Sequence, residues 1–578
     1  MKSPVAGFPR PGRGTPPGKI ESIVRAARRR GPAVLRAALL LALMGAGSAS
    51  DCLALGIRHW CYAVPMRDGQ ALPTDVYLPR FPQGCYPAVL VRTPNGRESI
   101  TKLQARMVCN KGFALVVQDM RGSRPGLGEE MLFVRDQADG HDTLQWIAAQ
   151  PWCNGCIATW GPSAMGFTQN LLAPRAPSAL RAQHVVMAFS NMYAQAAYQG
   201  GAFRQEMVQA WLSDRYRGAE MLALVRQHPT YDDFWAALNP ELQAESVNAP
   251  AVFWGGWHDA FVEGTIRSFQ TIHNQGGPGA RGRCRLILGP WAHHDLRMLV
   301  DPRNAECFPR AADPLRFFRY WLEGEANGVP CDPPVHYYVM GDSCDPASGT
   351  GWRTADNWPP PTTPHTLYLH PNGGLRVHVP RQSASRTYVY DPQRPVPTLG
   401  GRNYALPAGP MDQQPVESRP DVLVFTSDEL NEPLEVVGMV EARLFVSSDA
   451  PDTDFTVKLT DVFPDGRSIL VTDGILRASL REGFDRPVPL VPGRVYGIRV
   501  EVGSTAYVFG RGHRVRVAIS SSNWPRFEAN PNVGPSASPG SPPRVAHNTL
   551  HLGLPHASLL ILPVASPANK VTATTFGK

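Results

Sequence analysis

Beyond residue 50 the sequence carries no net charge. The whole formal charge of +8 lies in residues 1–50, where Lys2, Arg10, Arg13, Lys19, Arg25, Arg28, Arg29, Arg30 and Arg36 face the single acid Glu21. No basic footprint is left for phosphate backbones, so nucleic acid and acidic membrane surfaces are excluded as partners. The first fifty residues also lack a spanning segment: the apolar stretch from Ala37 to Ala46 is about ten residues long, where a bilayer needs about twenty. No internal repeat is present, and the 57 prolines exclude an all-helical chain of long uninterrupted helices. Cysteine is absent after Cys344.

What is present at the amino terminus is an ordered series: basic Arg28-Arg29-Arg30, the short apolar stretch, then small Gly47-Ser48-Ala49-Ser50. That order reads as a secretory signal peptide over residues 1–50, cleaved near Ala49, and places the protein outside the cytoplasm, secreted or periplasmic, with no stable membrane span after cleavage. The long basic lead-in leaves open an over-early start codon or a twin-arginine route. The ten cysteines are Cys52, Cys61, Cys85, Cys109, Cys153, Cys156, Cys284, Cys307, Cys331 and Cys344. An even count in an exported chain leads to an expectation of disulfides, sequence neighbours pairing in the simplest scheme. Cys153 and Cys156 are expected to bridge and brace the strand that follows them and leads to Ser163, since a lone C-x-x-C lacks the second pair of a structural zinc site.

A length of 578 residues and an apolar fraction of 43% imply a globular chain of roughly two to four domains. Tyr86–Val91 and Phe113–Gln118 are continuous apolar runs suited to parallel strands covered on both faces. Asp139–Gln150 places Leu144, Ile147 and Ala148 at helical spacing and ends at Pro151, and Ile157–Trp160 follows as a strand. Residues 172–248 turn helical in pattern, as in Met207–Leu212 and Glu220–Val225, and read as an inserted cap. Strands resume with Pro250–Trp254 and Arg285–Leu288, and Asp313–Glu323 supplies a closing helix. After Cys344 short alternating strands take over, Val437–Val446 and Val515–Ile519 among them. The expected layout is α/β: a hydrolase-type core over 51–171 and 249–345, a helical cap over 172–248, and an all-β jelly roll over 346–578.

The chemistry concentrates at strand ends. Gly161-Pro162-Ser163-Ala164-Met165-Gly166 lies between a strand and a helix, where a tight turn projects a nucleophilic hydroxyl, although its second glycine comes one residue later than in G-x-S-x-G. Alone, such a segment equally suits a helix N-cap. Asp259, in Gly256-Trp257-His258-Asp259, and His293, in Gly289-Pro290-Trp291-Ala292-His293, each follow a buried strand and complete the order Ser, acid, His. His258 and His294 are rival bases, read as hydrogen-bonded cleft or surface histidines.

Together with Arg67-Asp68-Gly69, Arg92-Thr93-Pro94, Gln118-Asp119-Met120-Arg121-Gly122 and Ser520–Phe527 through Asn530-Pro531-Asn532, these stretches resemble the cocaine-esterase and X-prolyl dipeptidyl-peptidase family of serine hydrolases. That family also includes α-amino acid ester hydrolases and glutaryl-cephalosporin acylases. The resemblance runs from Ile57 to Pro563, and the late glycine matches the family's G-x-S-x-x-G form. It implies Ser163 as nucleophile, His293 as base and Asp259 as the acid orienting it. It also implies an oxyanion hole from the Ala164 backbone N–H and a tyrosine of an R-x-P-Y segment, where this chain carries Asn95.

The expected activity is hydrolysis of an ester or amide, on a small-molecule or short-peptide substrate, through an acyl-Ser163 intermediate, with no metal and no organic cofactor. An X-prolyl dipeptidyl-peptidase is the alternative. A third reading is a non-catalytic carbohydrate binder with a degenerate hydrolase core. The oligomeric state stays open, a homo-oligomer included.

Overall fold

The computed structural model describes residues 56–566 apart from 81–83, 129–131, 295–307, 343–348 and 539. The expected signal peptide, residues 1–50, lies outside the described residues. Ten strands form the first sheet: β1 (Ile57–Pro65), β2 (Ala71–Pro79), β3 (Tyr86–Thr93), β4 (Ala114–Asp119), β5 (Cys153–Pro162), β6 (Leu180–Val186), β9 (Ala251–His258), β10 (Arg285–Ala292), β11 (Val335–Val339) and β12 (Gly351–Ala355). A two-stranded ribbon, β7 (Tyr198–Gln199) and β8 (Ala202–Phe203), stands apart. The sheet order is β1-β2-β4-β3-β5-β6-β9-β10-β11-β12. Strands β3 through β11 pair in parallel, while β1, β2 and β12 run antiparallel at the two margins.

The continuous apolar runs are explained by what covers them. Along β3 and β4, Ala88, Leu90, Ala114 and Val116 face one side with Leu144 and Ile147 of α2 (Asp136–Ala148). Val89, Val91, Leu115 and Val117 face the other side with Ala105 and Val108 of α1 (Lys102–Cys109). Alternate residues point to opposite faces, so a strand buried on both must be apolar throughout. The remaining helices are α3 (Ala164–Leu172), α4 (Gln205–Leu212), α5 (Gly218–Gln227), α6 (Asp233–Ala237), α7 (Val262–Gln275) and α8 (Pro314–Phe318), the last extended by a wider π turn over Arg319–Glu323.

Eleven strands between Thr362–Leu369 and Leu559–Ala565 form a second, all-β sheet. The two units share one apolar cluster in which Phe253, Leu286 and Tyr337 join Val436, Val517 and Ile519. Backbone bonds from Met340 N–H to the Ala506 carbonyl and from Val508 N–H to the Met340 carbonyl, both 2.8 Å, stitch the units together.

Three expectations need correction. Residues 172–248 are not helical throughout, because Leu180–Val186 is β6 at the centre of the sheet; its interior Arg181, Gln183 and His184 mask the strand in sequence. The α/β unit does not end at 345, since Gly351–Ala355 pairs with β11. Disulfides do not form among the described cysteines: Cys61, Cys85, Cys109, Cys153, Cys156, Cys284 and Cys331 are all free thiols. Cys153 packs with one face of the sheet and Cys156 with the other, as residues three apart on a strand must. Cys109 and Cys284 are likewise buried in different clusters, serving as small apolar side chains. Cys52, Cys307 and Cys344 lie outside the described residues.

Candidate active site

Strand β5 ends at Pro162 and α3 begins at Ala164, leaving Ser163 alone to make the turn, with φ 59° and ψ −125°. A side chain held at positive φ costs on the order of 1–3 kcal/mol and persists only where the surroundings impose it. Here the Ser163 N–H donates to the Val186 carbonyl at 2.9 Å, tying the turn to the end of β6. The late glycine has a packing reason: a Cβ on Gly166 would lie 2.6 Å from the Ala188 Cβ, so α3 crosses that chain only because residue 166 has no side chain.

Asp259 and His293 follow the adjacent parallel strands β9 and β10. A Cβ on Gly256 would lie 2.2 Å from the Trp291 carbonyl oxygen, so glycine allows the two strand ends to approach. The His293 Nδ1–H donates to Asp259 Oδ1 at 2.7 Å, and the Ser163 hydroxyl donates to His293 Nε2 at 3.2 Å. His293 is 5% exposed and Asp259 is fully buried, so their attraction is little screened by water. The structure thus brings Ser163, His293 and Asp259 into one hydrogen-bonded line.

The rival histidines stand off this line. Burial pushes His258 down to about 3, with the Arg402 charge adding to the shift, and pushes His294 down to about 3, with neighbouring His293 contributing. His258 is buried and His294 half-buried, each as a neutral ring. Ala164 opens α3, where a backbone N–H has no partner within its own helix. Asn95 is exposed, and its Oδ1 accepts a 2.7 Å hydrogen bond from Arg215, which also donates to the Pro94 carbonyl at 3.0 Å. Arg215 therefore engages the amide oxygen, and Nδ2 is the donor of that amide.

Several contributors carried no signal in the sequence. Tyr404, from the all-β half, sets its ring 5.1 Å from that of His293, while Phe261 meets the same imidazole edge-on at 5.1 Å. Arg402 donates to the Trp257 carbonyl at 3.1 Å and to Glu263 at 2.7 Å, and Arg204 donates to the Ala260 carbonyl at 2.9 Å. The loop bearing Asp259 is thereby clamped from both sides. The arginines of the quoted motifs also brace: Arg92 pairs with Asp136 at 2.7 Å, and Arg121 bridges Asp139 and Asp68 at 2.7 and 2.9 Å.

Beside Ser163 lies a cavity of ≈ 420 Å³, counted with its mouth. Phe189, Met192 and Phe261 form part of its wall; Met207, Trp211 and Leu212 of α4 supply another part. Among the described residues that line it, Ser163 and the Trp211 indole alone carry a side-chain polar atom, and none is a carboxylate.

Comparison with known proteins follows the same outline. The family model described as X-Pro dipeptidyl-peptidase (S15 family) matches residues 68–220 and 207–295, and that of the X-Pro dipeptidyl-peptidase C-terminal non-catalytic domain matches residues 327–561. The cocaine esterase of Rhodococcus sp. (strain MB1 Bresler) is 33% identical over 572 residues, spanning 87% of this chain and 97% of that enzyme. Among solved structures, an aminopeptidase from a marine sediment Thaumarchaeota archaeon superposes with a TM-score of 0.75 at 24% identity, over 90% of this chain and 98% of its own. An α-amino acid ester hydrolase does so at 0.73 and 23% identity, over 90% and 99%. Those two likenesses carry the fold.

Proposed function

The chain belongs to the X-Pro dipeptidyl-peptidase (S15) family and is a serine hydrolase, and from that premise we propose that it is an esterase for apolar acyl groups, working through an acyl-Ser163 intermediate. His293 removes the Ser163 proton as Oγ attacks the carbonyl, and Asp259 holds the imidazole in the tautomer with Nδ1 protonated. The oxyanion is met by the Ala164 N–H and the Asn95 Nδ2–H. His293 returns its proton to the leaving alcohol, and water then releases the acid by the same steps in reverse.

The observation that carries the choice of substrate is the apolar wall beside Ser163. A dipeptidyl-peptidase must neutralise a free substrate amine, and a buried ammonium without a counter-charge is strongly disfavoured. An uncharged aliphatic or aromatic acyl group meets no such cost. Helices α4 and α5, which carry Met207, Trp211 and Val225 over the cavity, act as the cap. The all-β half is read as a jelly roll, since first and last strands, Thr362–Leu369 and Leu559–Ala565, pair side by side. Export rests on residues 1–50 and is checked by amino-terminal sequencing of the protein recovered outside the cytoplasm.

The test of activity compares p-nitrophenyl butyrate with Ala-Pro and Gly-Pro p-nitroanilides. The expected result is butyrate hydrolysis, lost in Ser163→Ala, with both anilides turned over far more slowly. Faster cleavage of the anilides would replace the esterase with the peptidase. Failure of a fluorophosphonate to label Ser163 would end the hydrolase reading altogether.

A further inference from the structure

At the far margin of the first sheet, away from the Ser163 turn in sequence and in strand order, three unlike donors converge. His59 and Cys61 lie two apart on β1 and so share a face, and Cys61 stands in register with Asp75 of β2. The His59 Nε2 is 3.2 Å from Asp75 Oδ1 and 3.8 Å from the Cys61 Sγ, and that sulfur is 3.0 Å from the same Oδ1. We propose that His59, Cys61 and Asp75 form a binding site for a divalent cation of the zinc type.

The donor set decides the class of ion. A thiolate with an imidazole suits zinc and similar borderline metals, whereas calcium and magnesium take oxygen ligands. The spacing agrees. Around a tetrahedral zinc with bonds of about 2.0–2.3 Å, neighbouring ligand atoms stand about 3.3–3.6 Å apart. The three separations here, 3.0, 3.2 and 3.8 Å, bracket that range. Sub-ångström adjustments of the exposed His59 and Cys61 side chains against buried Asp75 bring them to it.

The surroundings hold these donors in place. The His59 ring stacks on Tyr77 at 4.4 Å with planes 7° apart, which holds its Nε2 over Cys61. Arg97 lies 3.6 Å from Asp75 Oδ2, on the side away from the other two donors, and leaves Oδ1 for the ion. Such a partner orients a ligating carboxylate. Without metal, the Cys61 thiol donates to Asp75 Oδ1, so its hydrogen occupies the place the cation would take. Binding forms the sulfur–metal bond and breaks the S–H bond, the proton passing to solvent, so each ion bound releases one proton and binding strengthens with pH. Solvent supplies the fourth ligand, as His59 and Cys61 are exposed.

The experiment titrates the reduced, chelator-treated full chain with Co²⁺ and follows the thiolate-to-cobalt absorption, then competes with Zn²⁺. One ion per chain is expected, displaced by zinc, with one proton released. Cys61→Ser should abolish the thiolate band, and His59→Gln and Asp75→Asn should each weaken binding about tenfold or more. Cys85→Ser and Cys331→Ser, at the other exposed thiols among the described residues, should leave the band intact. Butyrate hydrolysis and thermal melting of the Cys61→Ser protein, expected to match the parent, show that the band was not lost through misfolding. Absence of a thiolate band at millimolar Co²⁺, or a band that survives Cys61→Ser, overturns the proposal.

Discussion

Two buried histidine–carboxylate pairs occupy the two halves of the molecule. In the α/β half, His293 Nδ1 meets Asp259 at 2.7 Å; in the all-β half, His513 Nδ1 meets Asp461 at 2.9 Å. Both acids are fully buried and both rings are 5% exposed. They differ in what stands beyond. Asp461 also accepts from the Tyr507 hydroxyl at 3.0 Å, and a Cβ on Gly510 would lie 2.9 Å from His513 Nε2. His293 instead turns Nε2 to a serine held at positive φ. One pair thus ends in a packed joint, while in the other a strand-to-helix turn delivers a hydroxyl to the imidazole, the arrangement that the proposed proton relay requires.

The sharpest break of this comparison is at the serine. Ser163→Ala is expected to lower kcat on p-nitrophenyl butyrate by about 10⁴-fold or more, and Asp259→Asn by about 10⁴-fold, in steady-state assays. His513→Ala should leave kcat within a few-fold of the parent while lowering the melting temperature. A large loss of kcat in a folded His513→Ala protein would abolish the distinction.

Next in size is the oxyanion contact. Asn95→Ala is expected to lower kcat by about 10²–10³-fold with little change in KM, the cost of losing one such donor. Arg215→Ala should reproduce a smaller part of that loss, because Arg215 only positions the amide. An Asn95→Ala enzyme of parental kcat would remove Asn95 from the hole.

The cavity comes third. Trp211→Ala is expected to reduce kcat/KM for butyrate by about 10–100-fold, on the scale of one or two methylenes lost from an apolar site, while p-nitrophenyl acetate changes less. Equal losses on both esters would show that Trp211 supports the fold rather than the acyl chain.

The smallest effect concerns pH and sets the buried rings against exposed ones. His258 and His294 are pushed down to about 3, and His184 and His336 to about 4, with burial as the leading cause in each. The unfolded chain therefore binds more protons than the native one below the ordinary histidine value of about 6.5, and stability must fall as pH drops from there toward 4. Carboxyls raised by burial, Asp136 to about 6 among them, act in the opposite sense and offset part of the loss. Melting temperatures measured between pH 7 and 4 should decline, and His294→Asn should flatten the decline slightly. A melting temperature that rose over this range would place the balance with the carboxyls.

Much of the α/β core was legible because its strands are covered on both faces. Tyr86–Thr93 and Ala114–Asp119 open on continuous apolar runs too short for a helix, a pattern that suits strands buried on both faces. Strand β6 escaped notice for the converse reason. Gln183 and His184 interrupt its apolar run, yet both are buried, because Gln183 donates to the Gln169 carbonyl and His184 bonds the Ala312 carbonyl across distances in sequence that no local pattern records. The disulfide expectation failed on similar ground, since cysteine counts say nothing of which face of a sheet a side chain takes.

By itself, the sequence determined the strands covered on both faces, the glycines at 166 and 256 that permit close crossing, and the succession Ser163, Asp259, His293. These are local properties, written in spacing and in the backbone freedom of single residues. Only the tertiary structure decided that Arg215 from the helical segment grips Asn95, that Tyr404 from the all-β half lies against His293, and that the described residues of the wall beside Ser163 are without charge. The first two depend on contacts between residues more than 100 positions apart, and the wall gathers side chains from Leu132 to Phe261; their free energy is gained only when distant elements pack.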